Sequence, residues 1–94
     1  MFEITTDQDG TVQLSGRFDA SQVEAAEQVL ERFTDSLTID FRNLNYISSA
    51  GLGVLLATYK RLDNLGKTMV LRNLNPHIAD VFRLTGLDRV FDIR

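Results

Sequence analysis

The sequence predicts a mixed α/β fold, in which an antiparallel hairpin opens a four- to five-stranded sheet and helices pack on that sheet. Two short strand-like runs are joined by a loop ending in Asp9-Gly10, a hairpin signal. After Ser36, strand-like and helical stretches alternate with short connections, which implies parallel pairing through right-handed crossovers. Apolar residues follow a period of two in strands such as Leu37–Phe41 and helical spacing in the helical stretches.

Phe2–Thr6 and Thr11–Ser15 are the hairpin strands, with Val12 and Leu14 alternating with polar neighbours. A loop over Gly16–Ser21 leads to an amphipathic helix from Gln22 to Phe33, with Val23, Ala26, Leu30 and Phe33 on one stripe. Ser21 with Glu24 reads as its capping box, which leaves Asp19 without a capping duty; Asp19 with Gln22 is the rival pair. Leu37–Phe41 is a strand, and Arg42–Asn45 reads as a turn. A helix then runs from about Ala50 to Leu65, with Leu52, Leu55, Tyr59 and Leu62 on one face, and stops at Gly66. Its Lys60-Arg61 pair reads as solvated helix surface. Thr68–Leu71 shows no alternation, as expected of a strand buried on both faces. Asn75-Pro76 starts a last helix that buries Ile78, Val81, Phe82 and Leu84 and ends at Gly86, and Val90–Ile93 closes the sheet.

Ninety-four residues, 44% hydrophobic and 24% charged, are expected to form one domain spanning 1–94. With no cysteine there is no disulfide framework and no thiolate site. A net charge of −3 argues against nucleic acid as a main partner. Neither a signal peptide nor a membrane-length apolar run is present, so membrane insertion is not expected and the cytoplasm is the natural location.

The stretch the rest of the chain serves is Tyr46-Ile47-Ser48-Ser49-Ala50-Gly51-Leu52-Gly53-Val54-Leu55-Leu56. Two hydroxyls stand where a helix begins, beside first-turn N–H groups that favour negative charge. The glycines allow close packing or the close approach of another backbone. The surface this stretch is expected to offer a partner comprises Ser48, Ser49, Gly51, Leu52 and Gly53. A serine nucleophile would need a base, but the only histidine, His77, belongs to another helix and the Gly-x-Ser-x-Gly elbow is missing. Gly51-x-Gly53 lacks the rest of either nucleotide-binding motif. Scattered carboxylates give no metal spacing, so neither cofactor nor metal is expected. Taken alone, the serines read most simply as helix caps.

The whole stretch resembles the signature of STAS domains, specifically the bacterial anti-sigma factor antagonists. Leu14-Ser-Gly-Arg-Phe-Asp19, Leu37–Phe41, Lys67–Pro76 and Val81–Leu87 extend the similarity over nearly the entire chain. The resemblance implies a non-enzymatic, partner-switching protein. In that family the unmodified antagonist binds an anti-sigma factor, a serine kinase of the histidine-kinase-like ATPase fold. Phosphorylation ends the binding and a PP2C-type phosphatase restores it. The family's phosphoacceptor falls on Ser49, and its loop aspartate, near the kinase in the complex, falls on Asp19, which the resemblance thus adds to the expected partner surface. Kinase-regulated members usually carry aspartate before the acceptor; here Ser48 stands there as an alternate acceptor. Members commonly continue into a C-terminal helix, so the flank left uncovered at Arg94 suits weak homodimerisation. A STAS scaffold or a regulatory subunit of a transporter shares these features, and a small enzyme with Ser49 as nucleophile is the remote alternative.

Overall fold

Five strands form one sheet whose spatial order, β1-β2-β3-β4-β5, is the order of the chain. The computed structural model describes all residues, Met1–Arg94. β1 (Phe2–Thr6) pairs antiparallel with β2 (Val12–Phe18) across the Asp9-Gly10 turn, and Asp7 Oδ1 accepts from the N–H groups of Asp9 and Thr11. β3 (Leu37–Ile47), β4 (Met69–Arg72) and β5 (Asp92–Ile93) follow in parallel. The crossovers carry α1 (Val23–Leu30), α2 (Ser49–Asn64) and α3 (Pro76–Thr85). Crossovers that always advance in one direction, with one handedness, lay their helices on one face of the sheet.

Burial agrees with that one-sided plan. Val12, Leu14, Ile39, Phe41, Met69 and Leu71 are buried beneath the helices with Ala26, Leu30, Leu55, Leu62, Ile78 and Phe82. The alternating positions Gln13, Ser15, Thr38, Asp40 and Arg72 form a polar opposite face. The expectation for Thr68–Leu71 is therefore corrected: β4 buries Met69 and Leu71, half-covers Val70 and exposes Arg72. Four consecutive residues with little polarity conceal which side faces out.

β3 departs most from expectation. It runs through Arg42–Asn45, where a turn was expected, and continues to Ile47. Between Gln13↔Asp40 and Ser15↔Asn43, and again between Gly16↔Leu44 and Arg17↔Tyr46, β3 takes one residue more than β2. Two bulges in a parallel pair are uncommon, and each re-aims the strand. They move the buried positions from Leu37, Ile39 and Phe41 to Leu44 and Ile47, so the period of two fails where the strand does not. β2 likewise extends to Phe18, through half of the expected loop.

Helix ends follow local chemistry. Asn75 Oδ1 accepts from Ile78 N–H at 3.0 Å with Pro76 in the first turn, and Gly86 ends α3 in the left-handed region. Leu84, expected in the core, is 77% exposed because it falls on the outer side of α3. Arg61 is not a solvated surface group. It reaches from α2 to donate to the carbonyls of Phe33 at 2.7 Å and Leu30 at 2.8 Å, the latter shared with Phe33 N–H, and so ties α2 to the last residue of α1 and the turn after it. The final strand is shorter than expected, since Leu87–Arg89 form a 3-10 turn and only Asp92–Ile93 pair.

Candidate functional site

The site forms where β2 and β3 end side by side. Phe18 pairs with Ile47, and Ser48 N–H donates to Phe18 O at 2.9 Å, one step beyond the ladder. The residues expected to be functional lie just past the two strand ends: Asp19 follows Phe18, and Ser48 and Ser49 follow Ile47. α2 starts immediately against this pair because Gly51 has no side chain. A Cβ there would lie 2.9 Å from Ile47 Cγ1 and 3.0 Å from Phe18 O. Gly51 is thus a packing residue beneath the site.

The two serines have different duties. Ser48 is extended (φ −89, ψ 171) and caps α2, its Oγ accepting from Gly51 N–H at 3.2 Å while its carbonyl accepts from Leu52 N–H. Ser48 is half-buried and its hydroxyl is committed to the cap. Ser49, in the first helical position, is exposed and its hydroxyl has no hydrogen bond in the chain. The N–H groups of Ser49 and Ala50 precede the first intrahelical bonds and point outward, so the helix start favours an anion beside Ser49. Sequence reasoning left the helix start at about Ala50, because two consecutive hydroxyls give two equivalent caps.

Asp19 has the capping duty that the sequence reading withheld. Its Oδ1 accepts from Ser21 N–H at 3.0 Å and Ser21 Oγ–H at 2.6 Å, while Gln22 Oε1 accepts from Asp19 N–H at 2.9 Å. This is a capping box on the 3-10 turn Ala20–Gln22 that leads into α1, so the Asp19–Gln22 pair displaces the Ser21–Glu24 expectation. Ser21 side chain and backbone, more than the nearby charges of Arg17 and the N-terminal amine, hold the Asp19 carboxyl below its usual value. Asp19 is therefore an anion at neutral pH, with one oxygen occupied by Ser21 and Oδ2 open.

Of the six residues expected to meet a partner, Asp19, Ser48, Ser49 and Gly53 are accessible, whereas Gly51 and Leu52 are buried. Leu52 anchors the first turn of α2 in the core. Gly53 differs from Gly51: a Cβ there would meet nothing within 4 Å. His77 lies exposed in the first turn of α3 and makes no side-chain hydrogen bond to either serine. No helix is long and apolar enough to cross a membrane.

One pair escaped the sequence reading. Arg17 stacks over the Tyr46 ring, with Cζ 4.2 Å from the ring centroid. Their register depends on both bulges, so spacing alone could not bring them together.

The family model described as "Mlab, STAS domain" matches residues 1–93. The anti-sigma-B factor antagonist of Staphylococcus epidermidis is 30% identical over 88 residues, covering 89% of this chain and 82% of that protein. Among solved structures, an anti-sigma factor antagonist from Mycobacterium paratuberculosis superposes with a TM-score of 0.81 at 28% identity, covering 99% of this chain and 83% of the other. The Bacillus cell fate determinant SpoIIAA in its phosphorylated form shares the fold with a TM-score of 0.71 at 22% identity, covering 100% and 91%. A match over nearly the full chain, on a five-stranded sheet with this serine-bearing helix start, places the protein in the STAS-domain family, among relatives that are anti-sigma factor antagonists.

Proposed function

We propose that this protein is an anti-sigma factor antagonist that works by partner switching, with Ser49 as its phosphoacceptor. The unphosphorylated protein binds an anti-sigma factor that is also a serine kinase of the histidine-kinase-like ATPase fold, and so releases a sigma factor. That kinase transfers a phosphoryl group from ATP to Ser49 Oγ, which ends the binding, and a PP2C-type phosphatase hydrolyses the ester to restore it. The protein acts in the cytoplasm as a binding module and substrate of these enzymes, with no catalysis of its own.

One observation carries the choice of Ser49: of two adjacent hydroxyls, Ser48 is spent on the helix cap and Ser49 is exposed and unbonded. A Ser48 that caps the helix also accounts for a serine where an aspartate is usual, since both residue types are good caps. The phosphoryl group adds roughly −1.5 to −2 charge. Within the chain the helix start offsets part of it. At a docked interface the group has to be desolvated, and a penalty of about 3 kcal/mol weakens binding roughly a hundredfold. Nothing in the antagonist has to unfold.

Incubation with the host's anti-sigma kinase and ATP is expected to add one phosphate, which intact mass and fragment spectra place on Ser49. Ser49→Ala abolishes the addition and Ser48→Ala does not. A phosphate found elsewhere on the wild-type chain would sink the assignment. Ser49→Glu is expected to bind the kinase severalfold or more weakly by calorimetry.

A further inference from the structure

Arg17 and Tyr46 have no part in the cap, the core or the acceptor, yet they sit one ladder step before Phe18 and Ile47. Arg17 is exposed, and its side chain makes no ion pair and no hydrogen bond within the chain. Arg32, Arg42, Arg72 and Arg89 are also unpaired, but only Arg17 lies on an aromatic face. Stacking uses the flat face of a guanidinium and leaves its N–H edge directed outward, the geometry that takes a carboxylate with two parallel hydrogen bonds. A side chain already held by a ring loses less freedom when it docks. Asp19, two residues further on, does not fill this role: its charge is near enough to be felt, but it forms no ion pair with Arg17 and its Oδ1 is held by Ser21.

We infer that Arg17, braced on Tyr46, receives an aspartate or glutamate carboxylate from the docking face of the partner and so selects which anti-sigma kinase this antagonist recognises. With Asp19 beside it, the rim of the site presents a cation followed by an anion. A matching partner presents an acid opposite Arg17 and a base opposite Asp19, and a partner with two bases there is repelled by one of them. Such alternating charge fixes orientation and association rate more than raw affinity. The inference rests on the partner-switching reading and adds to it a chemical requirement on the kinase.

The test uses the full chain and the host kinase that binds it, by calorimetry and by stopped-flow association at low and high salt. Arg17→Glu is expected to weaken binding about tenfold or more, mainly through slower association that salt partly masks. Arg17→Gln should fall between it and wild type, and Arg17→Lys should keep most of the affinity. Reversing one acidic residue on the kinase's docking face to arginine should restore binding to Arg17→Glu. Thermal melting run alongside identifies a merely structural stack, for which Arg17→Glu lowers the melting temperature and leaves affinity unchanged; that result overturns the inference. It is also overturned if Arg17→Glu leaves kinase binding intact and alters only removal of phosphate from Ser49, since Arg17 would then serve the phosphoserine. If the wild-type chain binds no such kinase, the partner-switching reading fails and this inference fails with it, whereas full binding by Arg17→Glu removes this inference alone.

Discussion

Ser48 and Ser49 are neighbours of the same chemical type with opposite commitments, and the difference is measurable. Ser48→Ala removes the cap on Gly51 N–H and is expected to cost about 1 kcal/mol of stability, seen as a lower denaturation midpoint. Ser49→Ala removes a hydroxyl with no partner in the chain, and its midpoint should stay within experimental scatter of wild type. Asp19 adds a pH signature. Because its carboxyl titrates lower in the folded protein than its usual 3.8, the ionised form favours folding above that value, and the advantage disappears as pH falls through the native pKa. Thermal midpoints of wild type and Asp19→Asn should therefore be separated by a constant gap near neutral pH, and the gap should close in acid below 3.8. A gap independent of pH would show that the capping hydrogen bonds act without the charge.

The first turns of α2 contain two glycines that behave oppositely. Gly51→Ala forces a methyl against the Phe18 carbonyl and Ile47, and overpacking of this kind costs about 1–3 kcal/mol. Gly53→Ala meets open space and gains helix propensity, so it should stabilise the protein by about 0.8–1 kcal/mol while weakening binding of the anti-sigma factor if a partner's backbone approaches there. Denaturation and calorimetry on the same two variants separate packing from docking. Element scale is also where the sequence was least legible. α2, α3 and the hairpin carry strong local signals: Asp9-Gly10, Asn75-Pro76, and glycines at the helix stops. β3 carries contradictory ones, because Arg42, Asn43 and Asn45 are turn formers and the bulges break the alternation. What holds Arg42–Ile47 extended is the pairing to β2, a non-local constraint.

On the scale of the whole molecule, an aromatic cluster joins the helices to the sheet. Phe82 of α3 meets Phe41 of β3 edge-on at 5.9 Å and Phe91 at 5.6 Å, and Phe91 meets Tyr59 of α2 at 5.5 Å. Phe82→Ala is expected to cost about 3–5 kcal/mol, a large part of the roughly 5–15 kcal/mol typical of a domain's stability. Urea unfolding should show the midpoint falling sharply relative to wild type. The class of fold and the serine-bearing stretch were readable from periodicity and resemblance. The one-sided sheet, the division of labour between the serines and the Arg17–Tyr46 stack were not, since each depends on register or on a side chain's partner.

Because the strands lie in the sheet in the order in which they occur in the chain, no strand has to insert between two that are already paired. Each can add to the open edge left by its predecessor, the hairpin first and the two-residue β5 last. Each closure between successive strands spans a single turn or crossover, and its entropic cost grows only slowly with the length of that connection. The Asp19–Ser48 junction is built from β2, β3, the turn into α1 and the start of α2, so the proposed switch surface can be assembled before the C-terminal third of the polypeptide has docked.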